Sequence, residues 1–415
     1  MRENTVAYEC RFCGTPLTQT FVDLGMSPLC QTHIDPSQLT APEQFFPLHS
    51  FVCPSCFLVQ LPEHVAPDAI FEEYAYFSSY SDSWLNHAKT YVDLMLTRFG
   101  LDGSSLVVEL ASNDGYLLQY FKAKGVPVLG IEPARNVAQV AIEKGIPCVT
   151  EFFGTRLASK LAADGYKADL LLGNNVLAHV PDINDFVGGM KILLDDRGLI
   201  TMEFPHLVKL IDENQFDTIY HEHFSYLSFT TVEQVFAKQG LRLFDVDELP
   251  THGGSLRIYA CHTADASKPT SANVGALKER EAKWGVRDTA RYKAFGAQVE
   301  ATKRTILQFL IEARNAGKSI AGYGAPGKGN TLLNYCGIRT DFLDYTVDRS
   351  PYKQGKYTPG TRIPILPPER IRETKPDYLF ILPWNLSQEI MAQNAYIREW
   401  GGKFVVPIPT VKVFD

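Results

Sequence analysis

Residues 170–182 read LLLGNNVLAHVPD. A short apolar run enters Asn174 and Asn175, and a loop closed by His179, Pro181 and Asp182 follows. A run of this length bounded by turn residues reads as a buried strand that stops at the asparagines. The text on both sides has the same rhythm. LVVEL (106–110), VLGIEP (128–133) and LITMEF (199–204) read as strands, and residues 115–125, 136–145 and 186–198 read as helices. Strands alternating with helices predict a parallel sheet covered on both faces, from about residue 105 to about residue 263.

Two further features put a nucleotide-type ligand on this sheet. In LVVELASNDG (106–115) an apolar strand carrying Glu109 turns through small residues into a helix. Such a turn aims backbone N–H groups and a helix N-terminus at the ligand. Glu132 lies 23 residues beyond Glu109 at the end of the next strand, where a carboxylate suits the two hydroxyls of a ribose. The three elements together, ending in NNVLAHVPD, resemble the motifs of class I methyltransferases. That resemblance implies S-adenosylmethionine bound by Glu109, Ser112, Asn113, Gly115, Glu132, Asn174 and Asn175. Ala111 and Asn113 stand where that superfamily usually has glycines, so the side chains of Ser112 and Asn113 are expected to assist the backbone.

Upstream, Cys10-x-x-Cys13 and Cys53-x-x-Cys56 form two knuckles with 39 residues between them. Two residues between thiolates let both sulfurs face one ion, and two knuckles complete a tetrahedron. Four ligands close the shell, so the zinc is expected to be structural. Unmetalled cysteines and a redox or iron–sulfur site are the competing readings. Residues 1–70 are otherwise read as turn-rich, and residues 83–99 as an amphipathic helix.

Downstream, Tyr220-His221-Glu222-His223-Phe224-Ser225-Tyr226 follows a strand, where active sites of open α/β sheets lie. As a strand the segment puts His221 and His223 on one face; as a turn it lets all the groups converge. An acid/base cluster is favoured over a second metal site or buried structural histidines. A polar linker (263–272), a long charged helix (about 274–316) and a second α/β unit beginning SIAGYGAPGKGN (319–330) complete the chain. Gly322, Gly324 and Gly327 satisfy the dinucleotide fingerprint, with Asp348 21 residues further on. Gly329 replaces the Ser or Thr of a P-loop, so a glycine loop that holds a pyrophosphate is expected.

With these pieces in view the whole chain resembles the sugar-nucleotide C-3-methyltransferases of deoxysugar biosynthesis. The paired cysteines, ELASNDGYLL, NNVLAHVPD, TIYHEHFSY and GYGAPGKGNTLLNY carry the match. The resemblance implies an N-terminal zinc-binding domain (1–70), a class I Rossmann-like methyltransferase domain (71–265), and a long helix with a C-terminal Rossmann-like domain (266–415). It implies a TDP-linked 4-keto-deoxysugar, with Tyr220, Glu222, His223, His179 and Tyr74 near the reacting carbon. The second glycine loop is assigned the TDP part, through Gly324, Lys328, Asn330, Lys353 and Tyr357. His223 is cast as the base, Glu222 as a second base or an orienting group, and Tyr220 or His179 as a donor to an enolate.

Composition bounds the remainder. The 415 residues, 45% hydrophobic and 21% charged, suffice for two or three cores. A net charge of −7 disfavours nucleic acid, and no window approaches the length of a membrane span. A charged start without an apolar stretch points to the cytoplasm, and a monomer is expected. The rival readings are a two-domain NAD-dependent oxidoreductase, which leaves NNVLAHVPD unexplained, and a zinc-ribbon binding protein without catalysis.

Overall fold

A computed structural model describes residues 8–66 and 77–415. Tyr74 lies outside the described residues. Three sheets organise the chain, with strands numbered in chain order. The N-terminal sheet is antiparallel, β1 (Gln19–Ser27), β2 (Phe46–Val52), β3 (Val59–Gln60) and β9 (Ser225–Tyr226), in that spatial order. The turn-rich reading of this region missed these strands. Register shifts between Thr20 and Val22 and between Asp23 and Met26 break the alternation that reveals a strand.

The middle sheet has seven strands in the order β10-β11-β8-β7-β4-β5-β6. They are β4 (Val107–Leu110), β5 (Val128–Ile131), β6 (Cys148–Val149), β7 (Ala168–Asn174), β8 (Leu194–Pro205), β10 (Leu241–Leu249) and β11 (Ser255–His262). The first five are parallel, and the hairpin β10–β11 joins β8 antiparallel. The chain runs outward from β4 to β6 and then returns to β7 and β8. The crevice at the carboxyl ends of β4 and β7 is therefore the topological switch point, where α/β sheets bind ligands. Every residue of β4 is buried, as a strand covered on both faces requires. The helix expected through residue 198 stops at Leu193, and β8 begins at Leu194.

The third sheet runs β14-β13-β12-β15-β16-β17, built from β12 (Ile320–Tyr323), β13 (Thr346–Val347), β14 (Ile365–Leu366), β15 (Tyr378–Ile381), β16 (Lys403–Val406) and β17 (Lys412–Phe414). The single long helix before it is instead two helices, Ala272–Trp284 and Thr289–Asn315. Gly285, at φ 92°, ends the first in a left-handed cap, and the Asp288 side chain accepts from Ala290 N to start the second. The two halves serve different cores. Val274 and Leu277 pack with β10 and the helix Phe229–Lys238. Glu281 accepts from Phe229 N (2.7 Å) and Thr230 N (2.8 Å) at that helix's start and from His206 Nε2 (2.7 Å). The second half carries Tyr292, Phe295, Val299 and Ile306 against β1 and the third sheet. Phe21 of β1 stacks on Phe295 at 4.7 Å. Burying each such ring is worth roughly 1.5–3 kcal/mol. The helix Ala272–Trp284 thus joins the middle core.

Candidate active site

The four Sγ atoms of Cys10, Cys13, Cys53 and Cys56 lie within 4.8 Å of one another. Cys10–Cys56 and Cys13–Cys53 are each 3.5 Å apart. A tetrahedral ion with Zn–S bonds of about 2.3 Å separates its sulfurs by roughly 3.8 Å, so the set fits zinc. Ser55 N and Cys56 N approach Cys53 Sγ at 3.4 and 3.5 Å, and Gln60 Nε2 donates to Cys10 Sγ at 3.2 Å. Donors of this kind favour thiolates. The knuckle also holds what lies beneath it. Arg11 donates to Pro181 O (2.8 Å) and Leu61 O, and its guanidinium covers the Phe224 ring at 5.3 Å. Asn184 Nδ2 donates to Arg11 O and Phe12 O. Zinc thus braces the HVPD loop and the HEHF segment together.

At the switch point the loop after β4 keeps a glycine-type backbone without the glycines. Ala111 has φ 55° and Asn113 φ 49°, a region that costs about 1–2 kcal/mol for an L side chain, less for Asn. Asn113 Oδ1 accepts from Ser78 N (2.9 Å), and Asn113 N donates to Glu132 Oε2 (2.9 Å). Glu132 Oε1 accepts from Ala134 N (2.9 Å). Burial pushes the Glu132 carboxyl up to about 7 against these two N–H bonds. Each of its oxygens retains a second acceptor position, which fits a vicinal diol. Glu109 is fully buried at the end of β4; burial holds it well above the carboxylate range, with the Tyr116 hydroxyl acting against that. Ser112 and Gly115 are buried in the same loop, and a Cβ on Gly115 would lie 2.3 Å from Ile146 Cδ1, so its bareness serves packing. Asn174 Nδ2 donates to Tyr116 OH (3.3 Å). Asn175, at φ 56°, turns away to His252.

The YHEHF segment is a turn, and its two histidines part. His221 Nε2 donates to Pro47 O of β2 (3.2 Å), on the N-terminal sheet. His223 Nδ1 donates to Thr218 O (2.8 Å). Because a carbonyl only accepts, Nδ1 carries the proton and Nε2 carries the lone pair. The His179 ring stands edge-on to His223 at 4.7 Å, and the Tyr220 ring lies 4.0 Å from it. Phe224 N donates to Ala178 O (2.7 Å), which ties this segment to the LAHVPD loop. Burial, aided by His179, holds His223 well below the usual histidine range, and burial pushes His179 down to about 4. Both rings are neutral at pH 7. Cys30 Sγ donates to Glu222 Oε1 at 3.4 Å.

The second glycine loop is not an open cleft. Gly327 faces Cys30, whose Sγ would lie 2.9 Å from an added Cβ, and Asn330 Nδ2 donates to Cys30 O (2.6 Å). Asp348 Oδ2 accepts from Ala325 N (2.8 Å), and Lys353 Nζ donates to Ala325 O (2.9 Å). Tyr357 pairs with Ile34. Residues 30–34 of the chain thus pack on Gly327, Asn330 and Tyr357. Gly324 (φ 87°) packs on Pro383, while half-buried Lys328 faces another way. Its Nζ donates to Asn385 Oδ1 (2.8 Å) and sits 4.6 Å above the Trp384 ring. Trp384 Nε1 in turn donates to Asp217 Oδ2 (2.8 Å), one residue from the carbonyl that holds His223.

Sequence reasoning overlooked His252 and the buried set behind it. Glu203 of β8 accepts from Thr251 Oγ1 (2.8 Å), His87 Nε2 (2.9 Å) and the Arg257 guanidinium (2.9 Å). The available signal was THGG (251–254), a histidine before two glycines in the turn between the antiparallel strands β10 and β11, on the side of the sheet where parallel strands end.

A Rossmann-like sheet with this strand order and this cleft, joined to a four-thiolate knuckle, defines an S-adenosylmethionine-dependent methyltransferase with a zinc-binding domain. Family profiles agree along the chain, with a zinc binding domain at residues 10–71, a methyltransferase domain at 84–246 and a C-methyltransferase C-terminal domain at 250–409. The chain is 37% identical to the C-methyltransferase NovU of Streptomyces niveus over 407 residues, 98% of this chain and 97% of that protein. It belongs to this C-methyltransferase family. Solved structures resemble a part of it. Magnesium protoporphyrin IX methyltransferase from Synechocystis PCC 6803 with bound S-adenosylmethionine matches with a TM-score of 0.33 and 16% identity over 43% of this chain and 79% of that one. An S-adenosylmethionine-dependent methyltransferase from Clostridium acetobutylicum matches with a TM-score of 0.35 and 12% identity over 43% and 92%. Likenesses at that level carry no functional argument. No helix among the described residues is long and apolar enough to cross a membrane.

Proposed function

We propose that this C-methyltransferase transfers a methyl group to C-3 of a TDP-linked 4-keto-deoxysugar through an enolate, as a cytoplasmic step of deoxysugar biosynthesis. The observation that carries the reading is the tautomer of His223. Its Nδ1–H is spent on Thr218 O, and burial keeps the ring neutral, so Nε2 is a base beside two further polar rings. A ketone at C-4 acidifies the C-3 hydrogen. His223 Nε2 takes that proton, and the C–H pair becomes the C-3–C-4 double bond while the ketone oxygen gains the negative charge. Bound S-adenosylmethionine supplies the methyl group. The carbon forms the new C–C bond, the ketone re-forms, and the sulfur keeps the electron pair of its broken C–S bond. General-base assistance of this kind is worth about 10²- to 10⁴-fold.

Within this reading Glu132 holds the ribose diol, and Glu109, Ser112, Asn113, Gly115 and Asn174 shape the cofactor cleft. Tyr220, His179 and Glu222 stand around the sugar, and Tyr74 is assigned the same role by the family resemblance. Gly324, Lys328, Asn330, Lys353 and Tyr357 belong to the side that holds the nucleotide. His223→Asn is expected to lower methyl transfer at least 10²-fold while leaving both ligands bound. Isothermal titration and product mass spectrometry against a panel of TDP-4-keto-sugars check this. Near-normal turnover of His223→Asn would remove His223 as the base, and failure of every 4-keto-sugar in the panel would remove the substrate class.

A further inference from the structure

Two left-handed, non-glycine residues from different loops meet at the carboxyl end of the middle sheet. Asn175, at φ 56°, follows β7, and His252, at φ 54°, lies in the turn between β10 and β11. Each such conformation costs on the order of 1–3 kcal/mol and persists only where the surroundings impose it. Here they are imposed from both sides. Asn175 N donates to Glu203 O at 2.7 Å, and Thr251 Oγ1 donates to the Glu203 carboxylate at 2.8 Å. Gly253 is bare because Trp384 lies against it; an added Cβ would come 2.7 Å from Cη2. The result is a side-chain hydrogen bond of 2.8 Å from Asn175 Nδ2 to His252 Nε2. The Trp84 ring closes the pocket edge-on to the imidazole at 5.1 Å.

With Nε2 accepting from an amide, the proton of a neutral ring must sit on Nδ1. Burial first, and the nearby Lys328 ammonium second, push His252 down to about 4, so the ring is neutral at pH 7. The ring lies near enough to the His223 base for its charge to bear on it, and Trp384 links the Gly253 turn to Lys328 and to Asp217, next to the Thr218 carbonyl that holds His223. We propose that His252 is a catalytic residue whose Nδ1–H donates to the oxygen on which the enolate charge develops, with Asn175 as the positioning residue that fixes its tautomer. A neutral imidazole can play this electrophilic part because its donor is aimed in advance and pays no reorganisation in the transition state. His223 and His252 then divide the work. One accepts the carbon-bound proton on Nε2, and the other stabilises the oxygen through Nδ1–H without giving its proton up.

This inference rests on the enolate reading, and the test separates the two. The zinc-loaded full-length enzyme is incubated with a TDP-4-keto-sugar in deuterated water without methyl donor, and exchange at C-3 is followed by mass spectrometry. Turnover and KM are then measured with S-adenosylmethionine present. His252→Phe is expected to lower exchange and kcat together by about 10²- to 10³-fold, with both KM values within threefold. His252→Asn, which keeps a donor near the Nδ1 position and tolerates the left-handed backbone, is expected to recover at least tenfold of that loss. Asn175→Ala is expected to lose roughly tenfold through the tautomer alone. Long-range 15N correlation of histidine-labelled enzyme should show His252 as the Nδ1–H tautomer. Exchange and kcat within threefold of wild type in His252→Phe, or an Nε2–H tautomer, would overturn the assignment and leave the enolate reading standing. A rise confined to the S-adenosylmethionine KM with exchange unchanged would overturn it equally. Absence of exchange and turnover in the wild type would overturn the enolate reading and this one with it.

Discussion

The molecule contains two strand–loop–helix turns of the nucleotide-binding type, and they contradict the usual use of glycine as a guide. The turn after β4 has alanine and asparagine at the glycine positions, yet Ala111 and Asn113 hold left-handed backbone, and the loop faces the switch-point crevice. The turn after β12 has the full fingerprint, yet its glycines face protein. Gly322 lies against Thr346, Gly324 against Pro383 and Gly327 against Cys30. A glycine reports that something approaches the backbone closely. It does not report whether that something is a ligand or another part of the chain.

The largest effect expected from probing this contrast concerns the metal. The cover over the second turn is the connection between β1 and β2 of the N-terminal sheet, and the zinc knuckle braces the HVPD and HEHF loops. Chelation, or Cys53→Ser, should therefore lower the unfolding temperature by more than about 10 °C, because structural zinc contributes several kcal/mol of folding energy. Elemental analysis should find about one zinc per chain. Zinc-free protein with an unchanged melting curve would break the link between the knuckle and both turns.

A smaller effect sharpens the contrast directly, because the two turns carry analogous acids. Glu132→Gln should weaken S-adenosylmethionine binding by about 10- to 100-fold, from lost charge-assisted bonds worth roughly 1.5–3 kcal/mol. Asp348→Asn should leave that affinity within twofold, since Asp348 is occupied with Ala325 N and Ser350 N. Equal losses in isothermal titration would mean that both turns serve one ligand.

The smallest effect is in pH. Burial holds neutral histidines at both turns, with His33 over the second and His179 and His252 in the cleft each pushed down to about 4. An unfolded histidine takes up a proton near pH 6.5, whereas these refuse it until about pH 4. At these sites the unfolded chain thus binds more protons in this window, and their contribution to stability falls as the pH falls from 6.5 toward 4. Relative to wild type, His33→Gln should therefore gain a few °C at most in melting temperature between pH 7 and pH 5. No relative gain in that variant would mean that the His33 ring is charged in the folded state.

The sequence by itself determined the local features. Apolar runs between turn residues marked β4, β5, β7 and β12, because a strand buried on both faces must be apolar throughout. Two residues between cysteines marked the zinc knuckles, because ligand spacing within one tight turn is a covalent constraint. The grouping of Tyr220, Glu222 and His223 marked the polar segment after β8. Tertiary structure alone decided which of these groups meet. His221 and His223, two residues apart, part company, because the turn sends one ring to Pro47 of β2 and the other to His179 and Thr218 O. Lys328 turns to Trp384 and Asn385, and Cys30 packs against the glycine loop through Gly327 and Asn330. His252 joins Asn175 from 77 residues away. Such contacts leave no trace in local periodicity or spacing, because they depend on long-range packing between separate cores.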